Sequence, residues 1–118
     1  MATITRRQND FNFGNILAAW GPMALGDVGD PAGGTATGDR TVQVSGTFGV
    51  NGLVAIEGSL DGVNWNTLRD PTGAKLLIGS ADLRAVLENI DMIRPNVTGG
   101  DGTTQITVTI AIRKKSNG

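Results

Sequence analysis

Residues 105–112, Gln-Ile-Thr-Val-Thr-Ile-Ala-Ile, alternate strictly between apolar and small or polar side chains. In an extended chain successive side chains point to opposite faces, so Ile106, Val108, Ile110 and Ile112 share one face and Gln105, Thr107, Thr109 and Ala111 the other. A helix buries positions three and four apart and cannot sort this run. The segment therefore predicts a half-buried strand, and a chain with such a strand needs other strands of the same kind to cover it.

Further strands can be read upstream. Val42, Val44, Gly46 and Phe48 alternate with polar residues after Arg40, and Val54, Ile56 and Gly58 form the next face; Gly49-Val50-Asn51-Gly52 between them reads as a hairpin connection. Asp61-Gly62 and Asp70-Pro71-Thr72-Gly73 supply turns on either side of Val63 to Leu68, and Ala74 to Ile78 is a short strand candidate. Residues 81–89 suit a helix or a strand by composition, with strand preferred; residues 90–97 alternate again, and Gly99 to Gly102 turn the chain into its last strand. Ile16 to Leu25 is apolar but broken at Gly21-Pro22, which predicts a bent or edge strand, and Gly26 to Gly34 is expected to hold no regular structure. With only 118 residues, 18 glycines and a core made largely of Val, Ile, Leu and Ala, the expectation is one all-β domain. An antiparallel two-sheet sandwich or jelly roll fits best, and a partly open barrel is the alternative.

Residues 1–15 are polar and hold isolated apolar positions at Ile4, Phe11 and Phe13. They are expected to form an extended N-terminal arm, with residues 16–118 as the sandwich domain and a basic tail at 113–118. Because the arm has too few apolar positions to feed a core, its removal is expected to spare the fold. Half of the ten basic residues lie at the ends, as Arg6, Arg7, Arg113, Lys114 and Lys115, which leaves five positive against eleven negative charges over residues 8–112. Such ends can meet an acidic surface or simply be solvated.

Catalytic groups are scarce. The chain has no His, Cys or Tyr, which removes the commonest acid–base and thiolate chemistry. The carboxylates of Glu57, Asp61, Asp70, Asp82, Glu88 and Asp91 have no spacing that forces two together, and Asp61 and Asp70 read as turn residues. Asp27, Asp30 and Asp39 lack a calcium-loop pattern, and Gly33-Gly34 and Gly99-Gly100 lack the companions of a phosphate loop. No catalytic residue, metal or cofactor is expected. No apolar run is long enough for a membrane helix and no secretory signal is seen, so the protein is expected to be made in the cytoplasm. Trp65 is expected in the core. The central strands offer no aromatic and basic cluster for a specific nucleic acid.

Glu57-Gly58-Ser59-Leu60-Asp61-Gly62-Val63-Asn64-Trp65-Asn66-Thr67-Leu68 resembles a strand–turn–strand signature of small β-sandwich proteins in tailed-phage virions. Residues 92–104, followed by alternating Ile and Val, look like the last hairpin of such a protein. The resemblance implies a structural protein without catalytic residues, and head decoration, or cement, is the role preferred. The implied partner is the major capsid protein of the shell in a host's virions, bridged by a homo-oligomer, a dimer or a trimer. Contacts are expected from Arg6, Arg7, Phe11 and Phe13 of the arm, with Trp20 as its pin. The rival role is a carbohydrate- or receptor-binding module of a tail or fibre.

Overall fold

The computed structural model describes residues 2–11, 15–33, 39–88 and 90–113. Among them every regular element is a strand: β1 (Thr3–Ile4), β2 (Arg7–Phe11), β3 (Asn15–Met23), β4 (Val28–Gly29), β5 (Arg40–Thr47), β6 (Leu53–Ser59), β7 (Asn66–Thr67), β8 (Leu77–Ile78), β9 (Asp82–Val86), β10 (Met92–Gly99) and β11 (Gln105–Ile112). Two sheets pack face to face. The first, sheet A, runs β1-β4-β10-β6-β7 with β8 also on β6, and the second, sheet B, runs β2-β3-β11-β5-β9. Apart from the two-residue parallel pair of β1 with β4, all the pairs of named strands are antiparallel.

The alternation of β11 is sorted as its sequence predicts: Ile106, Val108, Ile110 and Ile112 are buried. The same holds for Val42 and Val44 on β5; on β6 Val54 and Ile56 are buried as expected, but Ala55 and Ser59 of the opposite face are buried as well. Residues 82–86 are strand rather than helix. Trp20 and Met23 from sheet B and Ile93 and Val97 from sheet A belong to one buried cluster, which also includes Leu68, Leu76 and Ile78.

Several local expectations fail. Gly49 to Gly52 joins β5 of sheet B to β6 of sheet A, and Gly100 to Thr104 joins β10 of sheet A to β11 of sheet B, so both connections are arches between sheets and neither is a hairpin. The arches brace each other: Asp101 accepts a hydrogen bond from the amide of Val50 (2.9 Å), and the Thr104 hydroxyl donates to the carbonyl of Phe48 (2.8 Å). Gly26 to Gly34 is not wholly irregular, because β4 pairs with β10 and Ala32 bridges to Ile93. β3 is bent, with a register shift opposite 106–108, but it lies between β2 and β11 and is not an edge.

The N-terminal segment is extended, but it is not a free arm. β1 lies on sheet A and β2 forms the outer strand of sheet B. The amide of Val28 donates to the carbonyl of Ala2 and that of Asp30 to Ile4, so backbone pairing holds the segment although its side chains are mostly polar. Ile4 also packs on the core.

The outer face of sheet B is nearly free of charge. β11 presents Gln105, Thr107, Thr109 and Ala111, and the register sets Thr47, Ser45, Gln43 and Thr41 of β5 beside them. Leu83 and Ala85 of β9 extend this face on one side, and Ala19 and Leu17 of β3 on the other.

Candidate functional site

The segment 57–68 forms a braced turn beside a groove. Ser59 ends β6, and its hydroxyl accepts hydrogen bonds from the amides of Asp61 (3.2 Å) and Gly62 (2.9 Å). Asp61 then closes the loop: its Oδ1 accepts from the amides of Val63 and Asn64, both at 2.8 Å, and Oδ2 from the Asn64 side chain at 2.7 Å. These donors favour the ionised form and hold the Asp61 carboxyl well below the usual carboxylate range. Gly62 takes a φ of 76°, in the left-handed region that favours glycine. The bracing fixes a turn that displays two large apolar side chains, Leu60 at 81% and Val63 at 78% exposure.

Behind this turn lies a groove of about 550 Å³, walled by the turn and by 66–69, Lys75, Glu88 and Ile90. Glu88 accepts from the Arg69 amide at 2.8 Å, and their side chains form an ion pair at 3.5 Å. Lys75, which also lines the groove, has no ion pair among the described residues.

Trp65 is not in the core. It stands three residues before the buried Leu68, and an odd separation along an extended segment sends two side chains to opposite faces. The Arg94 guanidinium lies 4.0 Å from the centre of its ring, and Arg94 also pairs with Glu57 at 3.0 Å. Glu57 further accepts from Asn96 at 3.3 Å. Trp65 thus caps a polar cluster on the outer side of sheet A.

The expected contact residues are scattered. Trp20 is fully buried, and its Nε1–H donates to the carbonyl (2.9 Å) and the carboxylate (3.0 Å) of Asp30, so it anchors the core and cannot pin an arm to a partner. Arg6 is committed to the same acid: its guanidinium meets Asp30 Oδ2 at 2.5 Å and its amide donates to Oδ1 at 2.8 Å. Arg7 is exposed on β2 and donates to the carbonyl of Gly21 at 2.9 Å. Phe11 ends β2 opposite Asn15, while its side chain and the whole of Phe13 lie outside the described residues. Residues 114–118 of the basic tail do so too, and Arg113 is exposed.

The remaining carboxylates serve the fold. Asp27 accepts from the amides of Ala2 and Ala24. Asp70 accepts from Thr72 and Ala74 and pairs with Arg84, contacts that keep its carboxyl ionised well below the usual range. Among the described residues no three acids gather to hold a metal.

Comparison with known protein families, with characterised proteins and with solved structures found no match.

Proposed function

We propose that this chain is a non-enzymatic virion structural protein that decorates a phage capsid, cementing it by bridging neighbouring major capsid subunits. The observation that carries this reading is the turn at 59–64, where a hydrogen-bonded frame holds Leu60 and Val63 out in solvent. A free monomer gains nothing by exposing two large apolar side chains on a rigid support, whereas a docking protein pays less ordering entropy when the contact is already in place. The resemblance of residues 57–68 to virion sandwiches supplies the partner class. A protein that binds the assembled shell but not its separated subunits stabilises the assembly by mass action, and bridging makes each second contact effectively intramolecular. Made in the host cytoplasm, it takes its place on the shell surface without a membrane or nucleic-acid partner. Arg6 of the N-terminal segment and Trp20 of β3 are engaged internally with Asp30, which leaves the turn as the contact.

Shells stripped of the protein provide the test. Wild-type protein is expected to rebind and to raise their resistance to heat, and the double variant Leu60→Asp/Val63→Asp, folded by circular dichroism, is expected to do neither. Equal rebinding by the double variant refutes the assignment of the turn.

A second reading, a carbohydrate-binding module of a tail or fibre, is favoured by the groove. Lys75, Asn66 and Thr67 line it, and their side chains have no hydrogen-bond partner among the described residues. Titration of bacterial surface oligosaccharides against wild type and Lys75→Ala separates it from decoration.

A further inference from the structure

We infer that the uncharged outer face of sheet B is the contact surface of a homodimer in which two copies stack sheet against sheet. The three central strands, β3, β11 and β5, bring no Asp, Glu, Lys or Arg to this face. Arg7 brings a charge to it from the outermost strand, beside Ala19, and the exposed Asp39 and Arg113, joined by the Arg113 amide one step beyond the Arg40–Ile112 pair, bring opposite charges at its end. The outer side of sheet A is different, with the Glu57–Arg94 pair and Trp65 upon it.

A second copy is the occupant this chemistry fits. In a two-fold contact the same patch meets itself, so any charge near the axis faces its own kind, and such like-charge contacts are costly. A face of Thr, Gln, Ser and Ala avoids that cost, and its short side chains let two sheets approach to the ordinary stacking distance of about 10 Å. The hydroxyls and amides of Thr107, Thr109 and Gln43 each donate and accept, so they can pair with copies of themselves across the axis.

Area sets the strength. β5 and β11 have eight residues each, about 26 Å at 3.3 Å per residue, and four strands at about 4.8 Å span some 19 Å. That footprint is about 500 Å² per copy, or about 1,000 Å² in total, which reaches the floor of specific interfaces and falls short of the standard size. The dimer is therefore weak in solution and concentration-dependent. Lateral association through β9 is hindered, because the Leu83 amide is taken by the Asp82 carboxylate (2.8 Å) and the Leu87 amide by the carbonyl of Arg69 (2.7 Å).

This inference stands apart from capsid binding, since either can fail without the other. Sedimentation velocity of the full chain from about 1 μM to several hundred micromolar reads it directly. Wild type is expected to pass from monomer to dimer over that range. Thr109→Lys and Gln43→Lys are expected to move the transition at least about tenfold higher in concentration, while Thr67→Lys, on sheet A, leaves it in place. Circular dichroism checks that each variant is folded, and if Thr109→Lys is not, the exposed Gln43 decides. A wild type that stays monomeric throughout overturns the inference. So does unchanged association in the folded Lys variants of sheet B, or loss of association in Thr67→Lys.

Discussion

Trp20 offers the sharpest test of how the two sheets are held together. Its side chain is fully buried, and Gly29 lies so close to the ring that a β-carbon there would stand 2.6 Å from Trp20 Cδ1. A buried Trp hides roughly 150–250 Å², which at about 25 cal/mol per Å² corresponds to about 4–6 kcal/mol. Truncations of buried aromatics typically cost about 3–5 kcal/mol, so Trp20→Ala should remove a large part of the roughly 5–15 kcal/mol that stabilises an ordinary domain. At about 4 °C per kcal/mol the melting temperature should fall by about 12–20 °C. Trp20→Phe keeps most of the apolar volume but loses the Nε1–H donor to Asp30, for a smaller loss of about 1–3 kcal/mol. Urea titration followed by far-ultraviolet circular dichroism measures both. If Trp20→Ala unfolds within about 1 kcal/mol of wild type, the reasoning that places this ring at the centre of the core is wrong.

Four further outcomes are expected. Val108→Asp puts an unpaired charge between the sheets and should leave the chain unfolded at room temperature, while Thr109→Asp on the outer face keeps a cooperative melt. Deleting residues 2–11 strips β1, β2 and the Arg6–Asp30 pair, and should lower the urea midpoint clearly; an unchanged midpoint would restore the idea of a dispensable arm. Gly46→Ala should destabilise by about 2 kcal/mol or more in the same titration, because φ is 114° and the new β-carbon would lie 2.2 Å from the carbonyl oxygen of Gln105. Asp61, Asp70 and Asp101 all have carboxyls held below their ordinary range by hydrogen bonds, so the native state binds fewer protons than the unfolded one in acid. Their contribution is complete above the unfolded carboxylate pKa of about 4 and is lost as pH falls below it, so melting temperature should drop between about pH 4 and pH 2, and less steeply in Asp70→Asn.

Alternation made the strands and their buried faces legible, because a period of two is written directly in residues such as Ile106 to Ile112. Which strands pair was not legible. A Gly-rich turn between two alternating runs reads alike whether the runs pair side by side or face each other across the core, and Gly49 to Gly52 does the second. The N-terminal strands escaped detection for another reason: β1 and β2 are held chiefly by backbone hydrogen bonds, which leave no trace in an apolar count. Trp65 could have been placed correctly. It and Leu68 differ by an odd number, so only one of them could face the core, and the turn bonds of Ser59 and Asp61 put the first candidate outside. The exposed pair Leu60 and Val63 had its signal in the same turn, in the two apolar residues that flank Asp61-Gly62.

The acidity of the body has a local cause that the charge count alone obscures. Asp27, Asp61, Asp70 and Asp101 each accept two or more hydrogen bonds, chiefly from amides of the turn they sit in or of the strand end beside it. Turns within sheet A, at Asp61 and Asp70, and crossings between the sheets, at Asp27 and Asp101, both leave amides that no ladder satisfies. A carboxylate satisfies several at once and, being ionised, bonds them more strongly than a neutral acceptor. Four of the eleven acids in residues 8–112 thus serve as braces of turns. In this domain without disulfides, those turns also set how firmly the loops are held. The same chemistry that keeps the arches closed at Asp101 keeps Leu60 and Val63 displayed at Asp61, so protonating or replacing Asp61 should loosen the display before it loosens the core.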